Sequence, residues 1–280
     1  MSEMIKVIKA LNNNVVIAEH PLHQEVVLIG KGIGFQVKKN DFITLDKADK
    51  TFILKDENEK EQYVNLLSHV DNDTIEFMQD ILVFIEESMG QKLNEHIHIA
   101  LTDHINFAIH RMQQDMQFSN PFLMEIESLY PNEYKVAKQV VDKVQQKMGI
   151  IFPTGEIGFI ALHIHSAITD KSISDLNRHH QLISKLVQII EENLDIEMEK
   201  NRIDYHRLIQ HLYRAIVRAH HGEKLGEQKS LAEMLKLTYP ICYNLAWKLI
   251  KVMQKQLNKP VDESEALYLT IHLQRLTNKI

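Results

Sequence analysis

The sequence predicts a multidomain chain: a small all-β domain, a four-stranded antiparallel sheet, followed by two homologous all-α helical bundles. Three observations carry this expectation. Residues 1–56 hold short Val/Ile-rich runs broken by Asn, Pro and Gly. From about residue 65 apolar residues recur at three- and four-residue spacing. The helical part then repeats itself at an offset of 109 residues.

The strand candidates are MIKVIKAL (4–11), NVVIAEH (14–20), EVVLIGKG (25–32) and KTFILKD (50–56). So small a sheet holds little core of its own, so two copies are expected to pair. DENEKEQ (56–62) reads as a charged linker. The helical pattern begins with IEFMQDILVFIEESMG (75–90) and IHIALTDHINFAIHRM (97–112), and continues through EYKVAKQVVDKVQQKMG (133–149) and GEIGFIALHIHSAI (155–168). DKSISDLNRHH (170–180) reads as a polar join. Beyond it lie HQLISKLVQIIEENL, RIDYHRLIQHLYRAIVRAH, NLAWKLIKVMQKQLN and SEALYLTIHLQRL. The expected domains are therefore 1–60, 65–172 and 175–280.

The repeat is specific. Tyr130, Pro131, Tyr134, Ala137 and Gln145 answer to Tyr239, Pro240, Tyr243, Ala246 and Gln254, and Glu156 and His163 to Glu265 and His272, all 109 residues on. Earlier in each unit the offset is 107, where Leu101, His104, Ala108, Ile109 and Arg111 match Leu208, His211, Ala215, Ile216 and Arg218.

Composition sets bounds. A net charge of −6 excludes a general polyanion binder, so any nucleic-acid site must be a local patch. The single Cys242 excludes an internal disulfide and a thiolate zinc site, and a reducing cytoplasm is the expected compartment. No stretch reaches the ~20 apolar residues of a membrane helix, so no membrane insertion is expected, and the start MSEMIKVIKALNNN lacks a signal peptide's apolar core. The 16 His are the main chemical hint.

Four of those histidines are duplicated: His104 and His163, His211 and His272. Arg111 and Arg218 each follow a His by seven residues, which places them on the same helix face as candidate phosphate partners. Satisfied core histidines and a phosphorylated imidazole both fit this pattern. A metal site fits poorly, because the two rings of His96/His98 or His163/His165 diverge by ~160° on a helix; no metal or cofactor is expected. His20, His23, His69, His179, His180, His220 and His221 fall in expected loops or helix ends, and His96, His98, His110, His165 and His206 have no counterpart. These read as surface residues.

In the β-domain, LNNNVV and GKGIGFQVKKND stand out. Asn12, Asn13 and Asn14 offer amides, Gly30 and Gly32 flank the cationic Lys31, and Phe35 beside Gln36 offers a stacking face. An ordinary hairpin turn and bulge in an oligomerising sheet would use the same residues. GxGxxG is not matched.

Taken in order, LNNNVV, GKGIGFQ, KKND, LTDHINFAIHR, EIGFIALHIHSA, LIQHLYRAIVR and EALYLTIHLQRL resemble the bacterial transcriptional antiterminators of sugar operons, over essentially the whole chain. The segments NEHIHIALTDH and NPFLMEIESLYPNEY are similar to the glucose-specific branch. The resemblance implies an RNA-binding domain, active as a homodimer, and two phosphotransferase-system regulation domains. The RNA-contacting positions would be Asn12, Asn14, Gly30, Lys31, Gly32, Phe35 and Gln36, with Lys31 replacing an arginine common there. The phosphorylated positions would be His104, His163, His211 and His272. The implied partners are an RNA hairpin in a leader transcript, the phosphocarrier HPr, and the sugar permease. Rival expectations are a phosphohistidine carrier enzyme and a DNA-binding activator; residues 1–56 contain no helix-turn-helix pattern for the second.

Overall fold

The computed structural model describes residues 4–22, 24–48, 50–53, 70, 72–94, 96–226 and 228–277; the expected linker at 56–62, and His23 and His69, lie outside them. Contacts divide the chain into two compact units: Met1–Phe118 with Val136–Pro153 and Ala167–Asp170, and Ser119–Lys135 with Thr154–Ser166 and Lys171–Ile280. Helices of the first repeat thus contribute to both units.

The first unit begins with an antiparallel sheet of order β4-β1-β2-β3-β5. All four expected strands are present, as β1 (Met4–Asn12), β2 (Val15–His20), β3 (Gln24–Ile29) and β5 (Lys50–Ile53). A three-residue strand, β4 (Phe42–Thr44), adds an edge beside β1. The unbroken apolar runs VVIA and VVLI have a direct cause: both faces of the sheet are buried. Val15, Ile17, Val27 and Ile29 pack with Val70 and Ile75. Val16, Ala18, Val26 and Leu28 pack on the other face with Ile33 and Ile43. Residues of the same chain thus cover both faces, so an uncovered core is not the reason for pairing two copies.

Ten α-helices follow among the described residues, five in each repeat. They are α1 (Asn72–Met89), α2 (Ile97–Gln113), α3 (Leu123–Leu129), α4 (Pro131–Met148), α5 (Thr154–Thr169), α6 (Ile173–Leu194), α7 (Ile203–His221), α8 (Lys229–Thr238), α9 (Pro240–Leu257) and α10 (Glu265–Thr277). The duplication is exact enough to show in the backbone. Tyr130 and Tyr239 end α3 and α8 at φ/ψ −128/57 and −132/57. Each donates its N–H at 2.8 Å to the carbonyl four residues back, Ile126 or Leu235. The following prolines then open α4 and α9, where a missing N–H costs nothing.

In the second repeat Tyr205, Leu208, Ile209, Leu212, Ala215, Ile216 and Ala219 form the buried stripe of α7. That stripe meets apolar residues of α6, α9 and α10 in one core. The expected join at 170–180 is helical from Ile173. Ser172 caps α6 by accepting the Asp175 N–H at 3.1 Å, and Leu176, His179 and His180 are buried along its first turns. His98, His179 and His180 are therefore interior residues, not the surface residues the sequence suggested.

Candidate nucleic-acid interface and phosphoacceptor cluster

The β1–β2 turn and the loop after β3 are bonded into one surface. Asn12 Oδ1 accepts the Asn14 N–H at 2.9 Å, and Asn14 Oδ1 accepts the Gly32 N–H at 2.8 Å. The Gly30 and Gly34 N–H groups donate to the carbonyls of Asn14 and Asn13 at 3.0 and 2.9 Å. Gly32 takes φ +70, and a Cβ on Gly34 would stand 2.1 Å from the Asn12 carbonyl oxygen. Asn12, Asn14, Gly30 and Gly34 thus set the geometry. Asn13, Lys31, Gly32, Phe35 and Gln36 form the exposed rim, with Phe35 60% exposed. Gly34 was the residue missed, although GKGIG displays it. Lys31 Nζ donates to Glu76 Oε1 of α1 at 2.9 Å, so this cation already has an acidic neighbour.

In the second repeat α7 and α10 bring together His211, Arg218, Glu265 and His272. Arg218 donates from Nε and Nη2 to Glu265 Oε1 and Oε2 at 2.6 and 3.0 Å. His211 Nε2 lies 3.4 Å from Glu265 Oε2. The His211 and His272 ring centroids are 4.7 Å apart. Glu265 is 1% exposed. Burial works to raise its carboxyl, but the His211 ring beside it and the hydrogen bonds from Arg218 outweigh burial and hold it below the usual glutamate range. Burial, then His211, Arg275 and Arg207, push His272 down to about 4, so its ring is neutral and nucleophilic at pH 7. Glu265 is the functional residue whose role the spacing did not disclose: the Arg218 fork is filled by it.

In the first repeat, His104 and Arg111 lie on α2 in the first unit, and Glu156 and His163 on α5 in the second. Arg111 is 4% exposed, with its guanidinium carbon 5.1 and 4.7 Å from the ring centroids of Phe107 and Phe118. Glu156 is fully buried. His165 also has a defined place: its Nδ1 lies 2.8 Å from Glu133 Oε1 and its ring stacks on Tyr130 at 3.9 Å. His206 contacts the Ser128 hydroxyl.

A sheet loop presenting amides, a cation and an aromatic ring, followed by two repeats with matched histidines, fits a nucleic-acid-binding regulator. The comparisons specify which kind. The CAT RNA binding domain matches residues 5–61, and the PRD domain matches twice, at 79–167 and 184–276. The "PtsGHI operon antiterminator" of Bacillus subtilis (strain 168) is 52% identical over 280 residues, the whole of both chains. "Protein GlcT" of Staphylococcus haemolyticus (strain JCSC1435) is 40% identical over 275 residues, 97% of this chain and 96% of that one. A solved structure, "Crystal structure of GlcT CAT-PRDI", is 55% identical, covering 60% of this chain and 99% of that chain at a TM-score of 0.54. The chain belongs to the family of transcriptional antiterminators in which a CAT RNA-binding domain precedes phosphotransferase-regulated PRD domains.

Proposed function

We propose that this chain is a cytoplasmic homodimer, not an enzyme, that binds an RNA hairpin in the leader transcript of a glucose-permease operon. Holding the hairpin prevents the overlapping terminator, and histidine phosphorylation sets whether the protein does so. The domains carrying these tasks are 1–60, 65–172 and 175–280. Asn12, Asn14, Gly30, Lys31, Gly32, Phe35 and Gln36 contact RNA. His104 and His163 take phosphate from the sugar permease, which inactivates the protein, and His211 and His272 take it from HPr. Resemblance to the glucose-specific branch supports the operon, the donors and the dimer.

The observation that carries the phosphorylation reading is the contact of His211 with the Arg218–Glu265 pair, with the His272 ring centroid 4.7 Å from that of His211. A phosphoryl group adds about two negative charges to a ring. On His211 it would stand beside Glu265, repel that carboxylate, and compete for the Arg218 fork; on His272 it would stand against the His211 ring. The contact joining α7 to α10 would then rearrange, a local charge change read out as a change of packing.

Incubation with phosphorylated HPr tests it. Stable label on His211 or His272 is the expected result. Label that is passed on, or released as phosphate with turnover, would instead make the chain a phosphohistidine carrier. A gel shift with duplex DNA but not with an RNA hairpin would make it a DNA-binding activator.

A further inference from the structure

A cavity of about 750 Å³ lies in the second repeat between α6, the end of α7 and the end of α9, and the phosphorylation reading makes no use of it. Lys171, Arg178 and Lys185 line it against one carboxylate, Asp175. That carboxylate is already engaged: Ser172 Oγ donates to it at 2.7 Å, and Arg178 contacts it. Three imidazoles, His179, His220 and His221, complete the polar wall. In a chain of net charge −6 this is a local concentration of positive charge.

His179 is 8% exposed, and its Nδ1 has no hydrogen-bond partner in the structure. Its Nε2 lies 3.2 Å from Nε2 of His220, so at least one ring must supply a proton between them. Lys259 adds a further cation, donating to the His220 carbonyl at 2.9 Å. Leu182, Val217 and Leu257 give an apolar floor, and Gln181 and Gln256 offer amides. The volume falls inside the range of about 300–1,000 Å³ typical of small-molecule sites.

The first repeat supplies a control. Leu93 donates its N–H to Glu86 Oε1 as Met198 does to Glu191 Oε1, which fixes an offset of 105 between α1 and α6. The same groove exists there, lined by Phe77, Asp80, Ile81, Lys143, Gln146 and Lys147, at about 340 Å³. Asp80 stands at the position of Lys185, Asp73 at that of Arg178 and Thr74 at that of His179. Gln113 and Gln114 stand at those of His220 and His221. The groove is a property of the fold; its size and imidazoles belong to the second repeat alone.

We propose that this cavity binds a small phosphomonoester, its phosphate held by Lys171, Arg178 and the His179–His220 pair, its hydroxyls by the glutamine amides, with Lys185 adding positive charge to the same wall. The imidazole pair resists protonation. Burial, then His220 and Lys171, push His179 down to about 4, and burial, then Lys259, lowers His220. The charged groups beside the pair are Lys171, Asp175 and Arg178 at α6, His221 on α7 and Lys259 after α9. A bound dianion would offset the cations among them and let the pair take up a proton.

Calorimetric titration of the full chain with glucose 6-phosphate, inorganic phosphate and glucose tests this. Saturable binding of a phosphate is expected, with proton uptake seen as a heat that changes with the buffer. Glucose should give none. Tighter binding of glucose 6-phosphate would identify a sugar phosphate as the ligand, and equal affinities would identify phosphate itself. Lys171→Ala with Lys185→Ala should weaken binding at least tenfold, with an unchanged thermal melt showing that the fold persists. His179→Leu, a separate variant, should remove the proton uptake. No saturable heat with either phosphate, or an unaltered affinity in the folded double variant, would overturn the proposal.

Discussion

Arg218 and Glu265 meet with two nitrogens on two oxygens, at 2.6 and 3.0 Å, and His211 reaches the same carboxylate at 3.4 Å. A carboxylate as buried as Glu265 is stable only while these donors remain. Arg218→Ala is therefore expected to cost about 3 kcal/mol, at the lower end for a broken buried pair because His211 stays. Urea unfolding of the full chain measures this. A change within experimental scatter would mean that Glu265 has no structural dependence on Arg218.

The histidines predict how stability depends on pH. Burial, the first cause for each, pushes His179, His180 and His272 down to about 4. The unfolded chain binds these protons near pH 6.5 and the folded chain only near 4. Protonation thus favours unfolding over that interval, so stability should fall as pH drops from 6.5 toward 4 and lose this slope below it. His180 is fully buried with neither ring nitrogen hydrogen-bonded. His180→Leu should flatten part of the slope without loss of stability at pH 7. Denaturant midpoints across pH 4–7 decide, and an unchanged slope would contradict the assignment.

In the sheet loop, Gly34→Ala forces a methyl onto the Asn12 carbonyl. The turn and the loop after β3 must then separate, so hairpin affinity should fall at least tenfold while helical content is kept. Asn14→Ala and Phe35→Ala should also weaken binding strongly, the first through geometry and the second through a lost stacking face, since aromatic stacking contributes about 1–3 kcal/mol per base. Normal hairpin affinity in all three would remove this surface from consideration.

Lys31 bonds Glu76, yet the proposal gives it an RNA phosphate. One ammonium on an exposed side chain serves both poorly, so Glu76→Gln should tighten RNA binding severalfold at low salt, with the gain fading as salt rises. Filter binding across a salt series checks this. Weaker binding by the variant would show that Glu76 supports the interface.

Much of this was legible in the sequence, for physical reasons. Two-sided burial makes β2 and β3 continuous apolar runs, and the duplication exposed both repeats, down to the tyrosine and proline that open α4 and α9. What escaped was too short or too polar. The seven residues of α3 and three of β4 carry no periodicity. The start of α6 was hidden because two of its buried positions, His179 and His180, are histidines, which break a stripe counted in apolar residues. Glu265 was visible as half of a matched pair, but only the fold turns it toward Arg218 and His211. The sharing of first-repeat helices between two units depends on contacts that no local pattern encodes.

In the proposed function, phosphate on the duplicated histidines governs whether the sheet holds RNA. Transcription readthrough on a leader RNA carrying the overlapping terminator tests it most directly, with the purified chain alone and after phosphorylation by the sugar permease. Readthrough is expected with the unmodified chain, with loss of it after phosphorylation and retention in His104→Ala. Equal readthrough by the wild-type chain with and without phosphate on its histidines would contradict it.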